Sequence, residues 1–255
     1  MKSYDIPAEM VITFVLVLIR LSMIMALLPV FGSKTLPPLF KIGLIVAISM
    51  ALTPVVSVSY NGDDLLITVI RELILSFVLA LSVRFVFYAI DTAGQVISTT
   101  TGLAMANVFN PEIGQSTEIA RIYGIIAVLT FLSLNAHHYF IYAFIKSFEL
   151  IPFGGANVRE MLKVGIMLSG RIFIIALKLS APFITVVMIT NILMGILYKL
   201  IPQFNIFFVG YPIYISLGFF LMMILTPVVV FVLSGYFMDL KGILNAVILA
   251  GAKPR

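Results

Sequence analysis

The chain is 255 residues long; 62% of them are hydrophobic and 11% are charged. Soluble domains carry about 25% charged residues, so a soluble fold of this length could not cover itself with polar surface. That excludes most soluble enzymes and, despite the net charge of +5, any nucleic-acid binder; the basic balance reads as topological bias or interfacial anchoring in a membrane.

With no cysteine, disulfides and thiolate metal sites are excluded. With no tryptophan, an aromatic belt would come from the 10 tyrosines and some of the 21 phenylalanines. The first ten residues hold Lys2 but also Asp5 and Glu9. The apolar run behind them is too long for a signal-peptide core and lacks a small-residue cleavage site, so no cleaved signal peptide is expected.

A spanning helix needs about 20 apolar residues. Residues 10–31 form one such run, broken only by Arg20. Residues 32–40, with Lys34, Pro37 and Pro38, read as a turn, and 41–58 as a second run. A polar turn over 59–64 (SYNGDD) is centred on Asn61-Gly62. The third run, 65–90, is interrupted by Arg71, Glu72 and Arg84.

Residues 91–118 differ in kind: small and polar, with acids but no Lys or Arg. They predict a short helix, then a non-helical loop over 107–117 that holds Pro111 and Gly114. The next helix starts near Ser116, with Ser116 or Thr117 as its N-cap. Residues 119–148 are the fourth run, and 149–160, with Pro152, Gly154 and Gly155, a connector. Residues 161–199 exceed one straight crossing, and Pro182 predicts a kink or hairpin. After a turn at 202–205 comes a last long run, 206–238, with Pro212 and Pro227, followed by a polar, basic tail over 239–255.

The positive-inside rule conflicts with itself here. Lys34 and Lys41 place the first connector inside, yet simple alternation then puts Lys146, Arg159 and Lys163 outside. Either some runs do not cross the bilayer, or the chain is not an ordinary spanning bundle. The basic C-terminus, Lys253 and Arg255, is expected in the cytoplasm.

Nine ionisable residues fall within or beside the apolar runs: Arg20, Arg71, Arg84, Arg121, Arg171 and Lys178 against Glu72, Asp91 and Glu118. Each left unpaired at mid-bilayer would cost about 2.5–3.5 kcal/mol on insertion scales. Glu118 and Arg121 can pair at i,i+3; Arg84 and Asp91 share a face if their helix continues. A surplus of bases remains. It either snorkels to the interface or is met by carboxylates of partner subunits, which predicts an obligate complex. Arg20, Arg71, Glu72, Arg84, Asp91, Arg171 and Lys178 are the expected inter-subunit charge contacts. The small residues from Gly94 to Ala106 suit close helix packing.

His137 and His138 lie inside an apolar run, where a general base for acyl transfer is conceivable. No carboxylate stands within a helical turn to orient it, and no His/Asp/Glu cluster suggests a metal. Neither a phosphate-binding GxxxxGK[ST] loop nor a GxSxG elbow is present. Catalysis and cofactors are therefore not expected. The proline-broken runs suit a small-molecule secondary transporter, but no inverted repeat supports one.

Several segments together resemble one family: Ala93-Gly94-Gln95, Phe109-Asn110-Pro111-Glu112, residues 131–137 (FLSLNAH), 151–155 (IPFGG), then Ala181-Pro182, Asn191, Gly195, 201–212 (IPQFNIFFVGYP) and Gly218. In this order they resemble the FliR family of flagellar biosynthesis proteins, whose virulence counterparts are the T-type subunits of type III secretion export gates. The NIFFVG wording leans flagellar. Ala136 stands where members often carry glycine, and the stretch after Gln95 is poorer in Gly and Met than is usual.

The resemblance implies an all-α membrane protein of proline-broken helical hairpins, stacked with P-type and Q-type subunits in a hetero-oligomeric channel. Unfolded flagellar proteins would cross the cytoplasmic membrane through it, at the flagellar basal body. A membrane switch protein, an export ring and a peripheral ATPase are the implied neighbours, with membrane lipid around them. It also implies that Asn107, Phe109, Asn110, Pro111, Glu112, Gly114 and Gln115 belong to a plug-like loop that helps close the pore.

Overall fold

The computed structural model describes residues 7–28, 36–56, 64–104, 117–201 and 206–252. They form seven α-helices and, among the described residues, no strand: α1 Ala8–Leu27, α2 Pro38–Leu52, α3 Leu65–Thr100, α4 Glu118–Ser133, α5 Ala136–Leu150, α6 Val158–Leu200 and α7 Ile206–Gly251. Four of these, α1, α3, α6 and α7, are long and apolar enough to cross a membrane, and α4 with α5 passes the same test only as a pair. The chain is an all-α membrane protein.

Prolines set several helix ends. Pro38 occupies the first turn of α2, where its missing N–H would have had no partner. Leu28, which precedes Pro29, is extended and stops α1. Thr117 caps α4, its hydroxyl accepting from the Ala120 N–H at 3.3 Å. Asn135, at φ 54°, separates α4 from α5, so the apolar run through 119–148 is two helices. Asparagine tolerates this left-handed conformation better than most residues.

Three helices outrun their apolar sequence. α3 continues ten residues past Ile90, and the hydroxyls there are satisfied locally: Thr92, Thr99, Thr100 and, just beyond the helix, Thr101 each donate to a carbonyl of the preceding turn at 2.8–3.0 Å. α6 has 43 residues and passes through Pro182 as one helix, so the hairpin expected there does not form. Thr185 donates to the Ala181 carbonyl and Ser180 to that of Ala176, both at 2.9 Å. α7 runs 46 residues through Pro212 and Pro227. The stretch from Asp239 is not a tail but helix, since Leu240, Leu244, Val247 and Ile248 are buried along one face.

The chain divides into two compact units. One comprises Met1–Phe85, Asn135–Ser169 and Met238–Arg255. Its core draws on Leu16, Leu21, Leu75, Leu79, Phe144 and Leu244. The other comprises Val86–Leu134 and Gly170–Phe237. At its centre Phe87, Phe131 and Phe237 meet pairwise, ring centroids 5.3–5.6 Å apart, in edge or tilted arrangements that suit aromatic quadrupoles.

Candidate functional site

Arg20 sits in the middle of the buried stripe of α1 that also holds Leu16, Val17, Leu21 and Ile24. A guanidinium cannot shed its charge there, so every N–H needs an acceptor. Glu72 of α3 supplies one: Nε and Nη2 of Arg20 both lie 2.7 Å from its Oε2, and both side chains are 0% exposed. Nη1 donates to Ser147 Oγ at 3.2 Å, and Nη2 reaches the Ile151 carbonyl at 3.5 Å. The rings of Phe148 and Phe153 lie 4.3 and 5.0 Å from the guanidinium carbon, close enough for cation–π attraction.

The same acid reaches the IPFGG connector. Glu72 Oε1 accepts from the Gly154 N–H at 3.3 Å, while Arg71 donates to the Gly154 carbonyl. Adjacent residues of α3 thus hold both polar groups of one peptide residue. Gly154 has φ +73°, and a Cβ there would stand 3.0 Å from Thr68 Oγ1, so conformation and space both call for glycine. Arg84 donates to the Leu27 carbonyl at 2.7 Å, placing positive charge at the C-terminus of α1, where the helix dipole favours it.

These contacts correct the sequence reading for Arg20 and Glu72, which it set against partner subunits. The structure pairs them with each other and leaves neither any exposed surface. Arg71 and Arg84, expected in the same role, are half-buried and donate to carbonyls of their own chain. The motif IPFGG marked the region, but nothing in the spacing of Arg20 and Glu72 singled out Ser147, Phe148, Phe153 or Thr68. Asp91 is half-buried and accepts from Gln95 Nε2 at 3.2 Å. Glu118 and Arg121 form the expected i,i+3 pair at 3.5 Å, half exposed, a geometry that contributes little to stability. Arg171 and Lys178 are exposed on α6, with no hydrogen bond or ion pair to any described residue.

The candidate loop residues Asn107, Phe109, Asn110, Pro111, Glu112, Gly114 and Gln115 lie outside the described residues. Its two flanks do not. Gly94 of α3 and Ala120 of α4 touch so closely that a Cβ on Gly94 would fall 2.3 Å from the Ala120 Cα, and Thr117 Oγ1 lies 3.4 Å from the Gly94 carbonyl. Thr101 packs on Gly218, and Gly102, at φ +76°, lies against the Tyr211 ring. The end of α3 is therefore pinned to α4 on one side and to α7 on the other.

His137 is half-buried on α5, its ring 4.2 Å from that of His138. Among the described residues no three His, Asp or Glu side chains gather as a metal site would require.

The fold and these contacts define an all-α membrane protein with charges fixed inside its apolar helices and close glycine packing between them. The sequence comparisons specify which. The model of the family described as bacterial export proteins, family 1, matches residues 11–240, and the chain belongs to that family. It is 31% identical over 219 residues to the flagellar biosynthetic protein FliR of Pectobacterium carotovorum subsp. carotovorum, covering 83% of both chains. With FliR of Escherichia coli it shares 28% over 221 residues, again 83% of both. With that of Aquifex aeolicus it shares 26% over 236 residues, 91% of this chain and 92% of the relative.

Proposed function

We propose that this chain is a non-enzymatic subunit of the flagellar protein export gate in the bacterial cytoplasmic membrane, at the flagellar basal body. With P-type and Q-type subunits it forms the channel through which unfolded flagellar proteins leave the cytoplasm. The observation that carries this reading is the family match across residues 11–240, joined by FliR relatives that align over most of their own length. The membrane switch protein and the export ring are its neighbours in the apparatus.

Within the channel, residues 107–117 serve as a plug-like loop. The geometry of the flanks supports this. Non-helical backbone at membrane depth is tolerated where it is buried in protein or lines a cavity, and a closing segment works only if its ends are held. Gly94, Thr117, Gly102 and Gly218 supply such anchors.

The test deletes residues 110–116 in the chain co-expressed with its neighbouring membrane subunits. The expected result is an intact complex by native mass spectrometry and an ion leak across the cytoplasmic membrane. An assembled deletion complex that keeps the permeability barrier overturns the loop assignment. A wild-type chain that recruits no small membrane subunits overturns the gate.

A further inference from the structure

Along α6, Arg171, Lys178 and Thr185 follow one another at seven-residue steps. Seven residues are two turns, about 10.5 Å of rise, with a drift of only about 20°, so the three share one face. Ile174, Met188 and Ile192 continue the same stripe in heptad register, and all six side chains are exposed. The stripe lies opposite the face of α6 that buries Ile175, Leu179, Phe183 and Val187 in its own unit. It is a coiled-coil-like seam that nothing among the described residues occupies, and two of its core positions carry bases.

Lipid alone does not account for this seam. In the second unit, large exposed apolar side chains extend along α6 from Phe173 to Leu200, about 40 Å of helix against about 30 Å of hydrocarbon. If the hydrocarbon covers the uncharged stretch 179–198, then Phe173 (72% exposed), Ile174 (56%) and Leu177 (63%) stand outside it as a bare apolar patch. If it shifts to cover them, Lys178 lies inside it with no counter-charge among the described residues. The first placement calls for an apolar cover and the second for a cover that carries acids, and one partner surface of both kinds meets either.

We infer that the Arg171–Lys178–Thr185 stripe is the docking seam for an apolar helix of a partner subunit that presents two carboxylates seven residues apart, one to the Arg171 guanidinium and one to the Lys178 ammonium. The inference rests on the gate reading, since it supposes a partner subunit. An i,i+7 pair of acids reproduces the 10.5 Å step of the bases at about the crossing angle of a left-handed helix pair. Arginine at the first position favours bidentate contact with its carboxylate, and lysine at the second acts as a point charge.

The test uses the full chain co-expressed with its neighbouring membrane subunits, with a photo-crosslinking amino acid in place of Ile174. The crosslink is expected on a partner peptide holding two Asp or Glu residues seven apart. Arg171→Gln with Lys178→Gln is expected to weaken recovery of that partner about a hundredfold, the equivalent of a broken buried pair. Arg171→Glu with Lys178→Glu should abolish recovery, and reversing the two partner acids to lysine should restore it. Crosslinks that land only on phospholipid, or on a helix without carboxylates, overturn the inference and leave the gate standing. So does unchanged recovery in the Gln variants. A wild-type chain that binds no membrane subunit fails the gate reading itself.

Discussion

The most exacting consequence of the fold concerns Glu72. Glu72→Ala removes the carboxylate that accepts from Arg20 at 2.7 Å and from the Gly154 N–H at 3.3 Å. The guanidinium it leaves is 0% exposed, between two aromatic rings, and it can be neither rehydrated nor deprotonated. Breaking a buried pair from one side costs about 3–5 kcal/mol, a large part of the stability of an ordinary domain. For a chain of this size that lowers the melting temperature by about 10 °C. Glu72→Gln keeps an acceptor oxygen and falls between Ala and wild type. The double replacement Arg20→Met with Glu72→Leu removes both charges at similar volume and recovers part of the loss, because the desolvation cost of the charges disappears with their attraction, while the Gly154 N–H and the Ile151 carbonyl lose their partners. The assay is thermal unfolding of these variants in mild detergent, with Arg20→Met and Glu72→Leu measured singly to complete a double-mutant cycle. If Glu72→Ala shifts stability by less than about 0.5 kcal/mol, as an exposed site would, or if the double variant is as unstable as the sum of the singles, the account of the pair is wrong.

The remaining predictions concern backbone. Gly94→Ala forces a Cβ against the Ala120 backbone at 2.3 Å, which no rotamer relieves, so it costs about 3 kcal/mol, the upper end for overpacking; hydrogen exchange should rise at the start of α4 and not in α1. Gly154→Ala meets both a positive φ and Thr68, at about 1–2 kcal/mol for the conformation alone; adding Thr68→Ala should recover only the steric part in a thermal scan. Thr117→Ala loses the N-cap bond of α4 at about 1 kcal/mol, while Thr117→Ser holds wild-type stability; the same scan distinguishes them.

What the sequence made legible was length and apolarity, and what it hid was contact. The apolar runs announced the long helices, and Thr117 was readable as a cap because a hydroxyl before an apolar periodic segment has a mechanism attached to it. Residues 91–100 read as a short helix of their own because they are small and polar, yet α3 continues through them, with their hydroxyls bonded to its own carbonyls. Asp239 and Lys241 made 239–251 look like a tail, although Leu240, Leu244, Val247 and Ile248 keep helical spacing through it. Asn135 gave little warning of a break, being one polar residue among apolar ones. Pro182 predicted a kink or a hairpin, and α6 runs through it as one helix, so of the two the hairpin does not form. Arg20 and Glu72 are 52 residues apart, and no spacing rule reaches that far, so their pairing required the packing of α1 on α3.

Arg20, Arg71 and Arg84 follow one physical rule, and the rule bears on Arg171. Because a guanidinium keeps its charge at any accessible pH, a buried arginine is stable only beside acceptors its environment can spare. In an apolar helical bundle those are carboxylates or carbonyls released from helical bonding. Arg20 takes Glu72 and the Ile151 carbonyl beyond the end of α5; Arg71 takes the carbonyl of a connector glycine; Arg84 takes the last carbonyl of α1. Acceptors therefore come from helix ends and turns, or from an acid placed for the purpose. Arg171 stands thirteen residues inside α6, far from either end, where the regular backbone has no carbonyl to spare for it and no described acid lies within reach. The partner helix proposed above would fill that gap: its carboxylate would serve as the acceptor for Arg171, and the exposed apolar side chains around it would be the surface that helix covers.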